Sequence, residues 1–518
     1  MTKLKWYLRR HCERSVAILL ALTLVLSLGI MAVPMAGTVE AQTPTSKVWV
    51  DEDFDGSTIG WGLYRFDTIQ GGVDGVADGG TVNVAAGTYT ENINISTRVT
   101  LDGAGNGDDD ASNTIITPAV EGTTVVTISA AGASATERLT LSNIRVKGTG
   151  TNSHGIRISS VGSYITFDNV ASVSHGNRGV GADWSGLAED IEILNCTFSN
   201  NEGPGFRTSS TSQISGLTIT NTHMDENLYG LYLNAPITGV TITGGSFDGN
   251  DGPGTNGVGI WAQQFDRFDD EDKLPNVLSG FTADGNKRGV VLHTYGPFQI
   301  IEASASNNLE EGIAFAGNGE APAVSDGTID DPIIFRNVTA NNNPKYNLWA
   351  ISYLGWTISN LTIEDCTFNG SSGDPGYGLY LYAAAGSTLS DVTVTDCTMT
   401  GNNAGIYLRA GSATTLTGVS IMCCLIDDNN DSGIFITDYA AAGNSAHCNS
   451  IAGNTVYGVQ NNHASEFDAT DNWWGDASGP THSGNPDGTG DYVYGNVDYD
   501  HWLLTPFQYS PDCGGTPP

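Results

Sequence analysis

LTIEDCTFNGSSGDPGYGLYLY, Leu361 to Tyr382, is followed by VTVTDCTMTGNNAGIYLR at 392–409 and VSIMCCLIDDNNDSGIFIT at 419–437. Each phrase runs through the same parts in the same order. An alternating apolar strand leads to a polar turn with Asn or Asp, then a short apolar step, a second Asn/Gly turn, and a glycine that opens another alternating strand. Earlier copies read IEILNCTFSNNEGPGFRT at 191–208, LTITNTHMDENLYGLYLN at 217–234 and VTITGGSFDGN at 240–250. Taking Val146, Val173, Phe198, Met224, Phe247, Ala283, Ala305, Ala340, Phe368, Met399, Ile426 and Ile451 as equivalent spaces the repeats 22 to 36 residues apart.

The period decides the architecture. No repeat shows 3.6-residue periodicity, so the elements are strands. Strands this short bury no face alone, but stacked turns bury a continuous one, each strand pairing with its counterpart one coil away. The expected fold is all-β, a single parallel β-helix of about twelve or more coils. Propeller blades need roughly 40 to 50 residues and four strands each, more than these repeats supply. Asn suits the corners because it tolerates the left-handed region and bonds to nearby backbone. Cys196, Cys366, Cys397 and Cys424 share one repeat position, which suits stacked buried thiols; a rung-to-rung disulfide, 366 to 397 or 397 to 424, is the alternative.

The chain has 57 Asp and Glu against 21 Lys and Arg, a formal net charge of -36. Such a surface repels nucleic acid and anionic lipid. Residues 1–41 combine Lys3, Lys5, Arg9, Arg10 and Arg14 with the apolar run Ser15 to Val33 and the small-x-small ending Val39-Glu40-Ala41. This pattern is that of a secretory signal, with an uncleaved anchor as the alternative. The expected location is therefore extracellular or at the cell surface, with no membrane span in the mature chain. The expected layout is a lead at 42–47, the β-helix at 48–505 including a C-terminal cap at 471–505, and a loose tail at 506–518.

Both ends of the chain resemble those of secreted right-handed parallel β-helix repeat proteins of the pectate-lyase-like superfold. Phe66, Thr68, Ile69 and Gln70 match an F-x-T-I-Q helix that caps the first coil in that superfold. Gly79-Gly80-Thr81-Val82 and Ala86-Gly87-Thr88-Tyr89 match its first coil. Asp471 to Gly475, Gly479-Pro480 and Val497 to Leu503 match an N-W-W-G…G-P…V-x-Y-x-x-W-L terminus. The superfold includes lyases, epimerases, polygalacturonases, phage tailspikes and adhesins, so the resemblance implies a fold and leaves the activity open.

Candidate sites follow from which side chains point outward. In each second strand the residue two after the glycine faces solvent. That row reads Arg157, Gly181, Arg207, Tyr232, Gly259, Val291, Ala314, Trp349, Tyr380, Tyr407, Phe435 and Gln460, beside a row with Asp183, Asn234, Trp261, His293, Tyr382 and Arg409. Trp349, Tyr380, Tyr407 and Phe435, with Tyr382, Arg409, Tyr232 and Trp261, form the expected glycan-binding face, since rings about 4.8 Å apart nearly match the rise of a β-linked glycan. Strand stability and packing under a long loop or against a partner subunit, a second copy of the chain, are competing uses of such a ladder. Arg157, Arg207 and Asp183 are the catalytic candidates, through arginine chemistry on an acidic or neutral glycan. Asp266, Asp269, Asp270, Glu271 and Asp272 supply hard oxygen ligands suited to Ca²⁺. Trp473, Trp474, Tyr499 and Trp502 are expected to close the last coil.

The leading functional expectation is a glycan-binding or adhesive surface protein without a catalytic constellation. The alternative is an extracellular polysaccharide lyase, epimerase or other carbohydrate-active enzyme, and a structural surface protein is the third.

Overall fold

The computed structural model describes residues 44–509 apart from 150–153, 161, 252–256, 266–275, 318–326, 385 and 438–442. The leader, the Asp266 to Asp272 run and the end of the tail lie outside the described residues. From Thr45 onward the chain is one compact unit. It is an all-β right-handed parallel β-helix of about sixteen turns, preceded by a single helix. Among the described residues, no helix is long and apolar enough to cross a membrane.

Register is continuous along the coil. One ladder of paired residues runs Arg157, Gly181, Arg207, Tyr232, Trp261, Val291, Ala314, Trp349, Tyr380, Tyr407, Phe435, Gln460 and Tyr494. The inward ladder from Phe198 through Met224, Phe247, Ala283 and onward to Ile451 is fully buried. Two expected positions shift. Ser172, not Val173, pairs with Val146. Ser172 is buried with its hydroxyl donating to Gly179 O at 2.7 Å, so a satisfied polar side chain takes an inward place that an apolar pattern assigns to its neighbour. Trp261, not Gly259, stands in the outward row. The corner glycine of that coil is Gly259 rather than Gly257: a Cβ there would meet Gly289 O at 2.7 Å, so no larger side chain fits.

Asparagines do two jobs. Asn195, Asn221, Asn307, Asn337 and Asn342 take positive φ at corners, as expected. A second set is buried and works between coils. The Asn227 side-chain oxygen accepts from Asn201 N at 3.0 Å, that of Asn250 from Asn227 N at 2.9 Å, and that of Asn286 from Asn250 N at 2.7 Å. Each turn thereby satisfies a backbone donor that the corner removes from the sheet.

Cys196, Cys366, Cys397 and Cys424 are buried free thiols, so no disulfide joins these rungs. Each donates to the carbonyl two residues before it, at 3.0 to 3.2 Å. Cys448 is disulfide-bonded.

The ends are covered differently. The Ile69–Gly75 helix starts at Thr68, whose hydroxyl accepts from Gly71 N, and the Glu91 carboxylate accepts from Ile69 N at 2.8 Å and Gln70 N at 3.0 Å. A Cβ on Gly72 would meet Val50 at 2.6 Å and Val82 at 2.9 Å, so glycine lets the helix sit directly on the first coil. At the other end Ser450 bridges to Trp473, which places Trp474 after Ile451 on the inward ladder. Trp474 is 0% exposed, while Trp473 is only half-buried. Trp502 packs on Gly479 and donates to Ala477 O at 3.2 Å, and the Tyr499 hydroxyl lies 2.8 Å from His482 Nδ1.

Candidate functional site

The second strand of each coil carries two outward rows that face one another across the corner glycine. The first is the Tyr232 to Phe435 row. The second lies three residues earlier and runs Tyr229, Val258, Arg288, Glu311, Tyr346, Tyr377, Ala404, Ser432 and Tyr457. Row-by-row counting from the glycine misses it, although the pairs Tyr229/Tyr232, Tyr346/Trp349 and Tyr377/Tyr380 repeat the same three-residue spacing.

The two rows interlock from Trp349 to Phe435. Trp349 stacks on Tyr380 with centroids 6.1 Å apart and planes at 8°. Tyr377 meets Tyr407 at 4.3 Å, and Tyr407 meets Phe435 at 4.9 Å. Consequently Tyr380 is only 4% exposed and Tyr407 only 9%. The expectation that four successive coils show an aromatic to solvent is corrected here: rings at coil spacing cover one another, and the middle two offer no open face. Arg409 is drawn into the same cluster, over the Tyr382 ring at 4.8 Å and 3.3 Å from the Tyr380 hydroxyl.

Between Trp261 and Trp349 the row drops to Val291 and Ala314, and a cleft of about 360 Å³ opens. Its walls are the two tryptophans and its floor is Val291 and Ala314. Arg288 and Glu311 stand on one margin and His293 on the other. Trp261 is itself stacked on Tyr232 at 5.1 Å. The cleft is therefore a gap in an aromatic face, cut by two small side chains.

The charges beside it are arranged asymmetrically. Arg288 Nε donates to Glu310 at 3.0 Å, and Lys345 Nζ reaches Glu310 at 3.1 Å. Burial acts to raise the Glu310 carboxyl, but these hydrogen bonds hold it below the ordinary carboxylate range. Glu311 is the reverse case. Its carboxyl is nearly fully buried, and burial raises its pKa against the pull of Arg288 and Lys345. Glu311 Oε2 lies 2.9 Å from Arg288 Nε yet accepts no hydrogen bond, because that N–H is directed at Glu310. Two neighbouring carboxyls are thus pushed in opposite directions, which is how an environment separates an acid from a spectator anion. Glu311 is the one carboxyl among the described residues lining the cleft.

The arginine face lies further toward the N-terminus. Arg157 Nε is 3.3 Å from Asp183 Oδ2, and Arg178 Nη1 donates to Asp183 Oδ1 at 2.7 Å. Asp183 is held by two guanidiniums. Arg207 lies across Gly181 from Arg157, with its cationic carbon 5.3 Å from the Tyr232 ring centre. His175 is buried beneath, and burial lowers its pKa to about 4. Among the described residues, no group of three or more His, Cys, Asp or Glu side chains is poised to hold a metal, and the Asp266 to Asp272 run lies outside them.

The family model described as "Right handed beta helix region" matches residues 108–267 and 288–473. No curated protein matches the sequence. Among solved structures, the chain is similar to the A-module of the Azotobacter vinelandii mannuronan C-5 epimerase AlgE6, at 13% identity over 85% of this chain and 94% of that one, with a TM-score of 0.34. It is similar to a pectin methylesterase in complex with a hexasaccharide, at 10% identity over 55% and 92%, TM-score 0.32. A third is the tailspike gp49 of the Acinetobacter baumannii bacteriophage Fri1, a capsular polysaccharide depolymerase, at 13% identity over 78% and 63%, TM-score 0.31.

Proposed function

This chain belongs to the right-handed β-helix family, and on that architecture we propose that it is an extracellular carbohydrate-active protein. It holds a glycan along the outward face and acts on it in the cleft between Trp261 and Trp349, as a polysaccharide lyase or epimerase. The observation that carries this reading is the buried Glu311 carboxyl at the margin of a cleft walled by two tryptophans. Indole faces stack on the apolar faces of sugars, and a carboxyl whose pKa is raised by burial holds its proton to higher pH than an exposed one and so serves better as a proton donor. On this reading His293, on the opposite margin of the cleft, takes a proton from the other side of the same ring. With Glu311 as the one lining carboxyl among the described residues, the cleft suits proton abstraction and return better than hydrolysis by paired carboxylates.

A second reading, glycan binding without chemistry, is favoured by the short distance from Glu311 to Arg288, which also fits a purely structural ion pair. One experiment separates the two. The secreted protein is incubated with a broad polysaccharide panel, and unsaturated uronate, C5 inversion and new reducing ends are measured. Product that disappears in Glu311→Gln, with glycan retention kept, supports the enzyme. Retention without any product from the unaltered protein overturns it in favour of binding alone.

A further inference from the structure

The aromatic face does not end at Tyr232; it continues as guanidinium groups. Along the same ladder, Tyr232 pairs with Arg207, Arg207 with Gly181, and Gly181 with Arg157. Gly181 leaves its place open, and Arg178 fills it: a Cβ on Gly181 would meet Arg178 Nη1 at 3.3 Å and its Cδ at 3.4 Å. Three guanidiniums therefore occupy three successive coils, in line with Tyr232 and Trp261. Arg157 and Arg178 share the single carboxylate of Asp183, and no salt bridge to Arg207 is formed among the described residues. The Nε–H groups of Arg178 and Arg207 are buried without a hydrogen-bond partner. This is an excess of cation in a chain of formal charge -36.

The rest of the face is different. Near the cleft Arg288, Lys287 and Lys345 are each ion-paired with the Glu310 carboxylate. Arg409 is bonded to Tyr380 and stacked on Tyr382. A chain charged on every sugar meets repulsion over most of this surface. Outside the cleft, among the described residues of this face, a single negative group finds a cluster of planar guanidiniums suited to paired hydrogen bonds at Arg157, Arg178 and Arg207.

We propose that Arg157, Arg178 and Arg207 form a subsite for one anionic sugar, carboxylate or sulfate, carried by a glycan whose other sugars, apart from a uronate acted on in the cleft, are uncharged. The subsite lies three coils from the floor of the cleft, or ~14 Å at the ~4.8 Å rung spacing, about three sugar units from the residue acted on. This inference rests on the glycan reading of the cleft and adds the substrate class.

The test uses the full secreted chain and oligosaccharides drawn from each backbone of a β-linked glycan panel. Each backbone is presented uncharged, with one uronate, with one sulfate, and with every sugar a uronate, and binding is measured by calorimetry. One acidic group is expected to tighten binding about 10-fold at low salt, as a charge-assisted contact to arginine does. The ratio of charged to uncharged affinity falls to one in Arg207→Gln and in Arg178→Gln, with unchanged melting temperatures. The fully anionic chain binds no tighter than the uncharged one. Whether the uronate or the sulfate gives the gain identifies the group. Equal binding of charged and uncharged probes overturns this inference and leaves the cleft reading standing. Tightest binding by the fully anionic chain overturns it as well. No binding by any probe, with Trp349→Ala indistinguishable from the unaltered protein, removes both.

Discussion

Trp474 and Trp349 are the same residue on the same solenoid, and they have opposite consequences. Trp474 closes the inward ladder after Ile451 and has no exposed surface. Trp349 stands on the outward ladder, stacked on Tyr380 on one side and facing the cleft on the other. The parity of a strand position decides between them, because alternate side chains point to opposite faces. A conspicuous tryptophan pair in a sequence is therefore no guide to a surface cleft, whereas a tryptophan at an outward register position beside small neighbours is one.

The largest way to break the comparison is at the closed end. Trp474→Ala empties a fully buried position and is expected to cost ~3–5 kcal/mol, read as a shift in the denaturant midpoint. A loss below ~1 kcal/mol would place Trp474 outside the core. Next comes the cleft itself. Ala314→Tyr extends the outward aromatic row into the gap; melting temperature is expected to hold, and glycan affinity to fall at least ~100-fold, ~2.7 kcal/mol. Unchanged affinity would show that ligand does not enter there.

The third concerns His175, buried on the inward side of the arginine face. Its pKa is lowered to about 4 by burial, so the unfolded chain binds the proton first as pH falls. Stability is full above the unfolded value and is lost between about pH 6.5 and pH 4, roughly 2 kcal/mol between pH 7 and 5. Unfolding at a series of pH values, compared with His175→Gln, checks this, and equal slopes in both proteins would contradict it. The smallest effect belongs to the outward side. Trp349→Ala is expected to weaken glycan binding ~10-fold, ~1.4 kcal/mol, with stability changed by no more than ~1 kcal/mol of lost ring packing. A large melting shift with unaltered retention would return Trp349 to a structural role.

Much of the molecule was legible in the repeat alone. Asn corners, inward apolar positions and the shared cysteine position all follow from what a stacked coil must bury or turn, and ten of the twelve aligned positions form the buried ladder from Phe198 to Ile451. The slips were local: Ser172 is polar yet inward because it is hydrogen-bonded, and two glycines at 257 and 259 left the corner ambiguous until Gly289 fixed it. The row carrying Arg288 and Glu311 does not show as a single repeat position, because two residues of each coil make the groove.

The sequence by itself determined the solenoid, because a short repeat with strand periodicity has to stack to bury its apolar face. Tertiary structure decided where that solenoid is open. Trp261, Ala314 and Trp349 become walls and floor only when coils of unequal length are brought into register. The Glu311 carboxyl is raised by burial among neighbours from adjacent coils, and no local pattern in the chain specifies that burial.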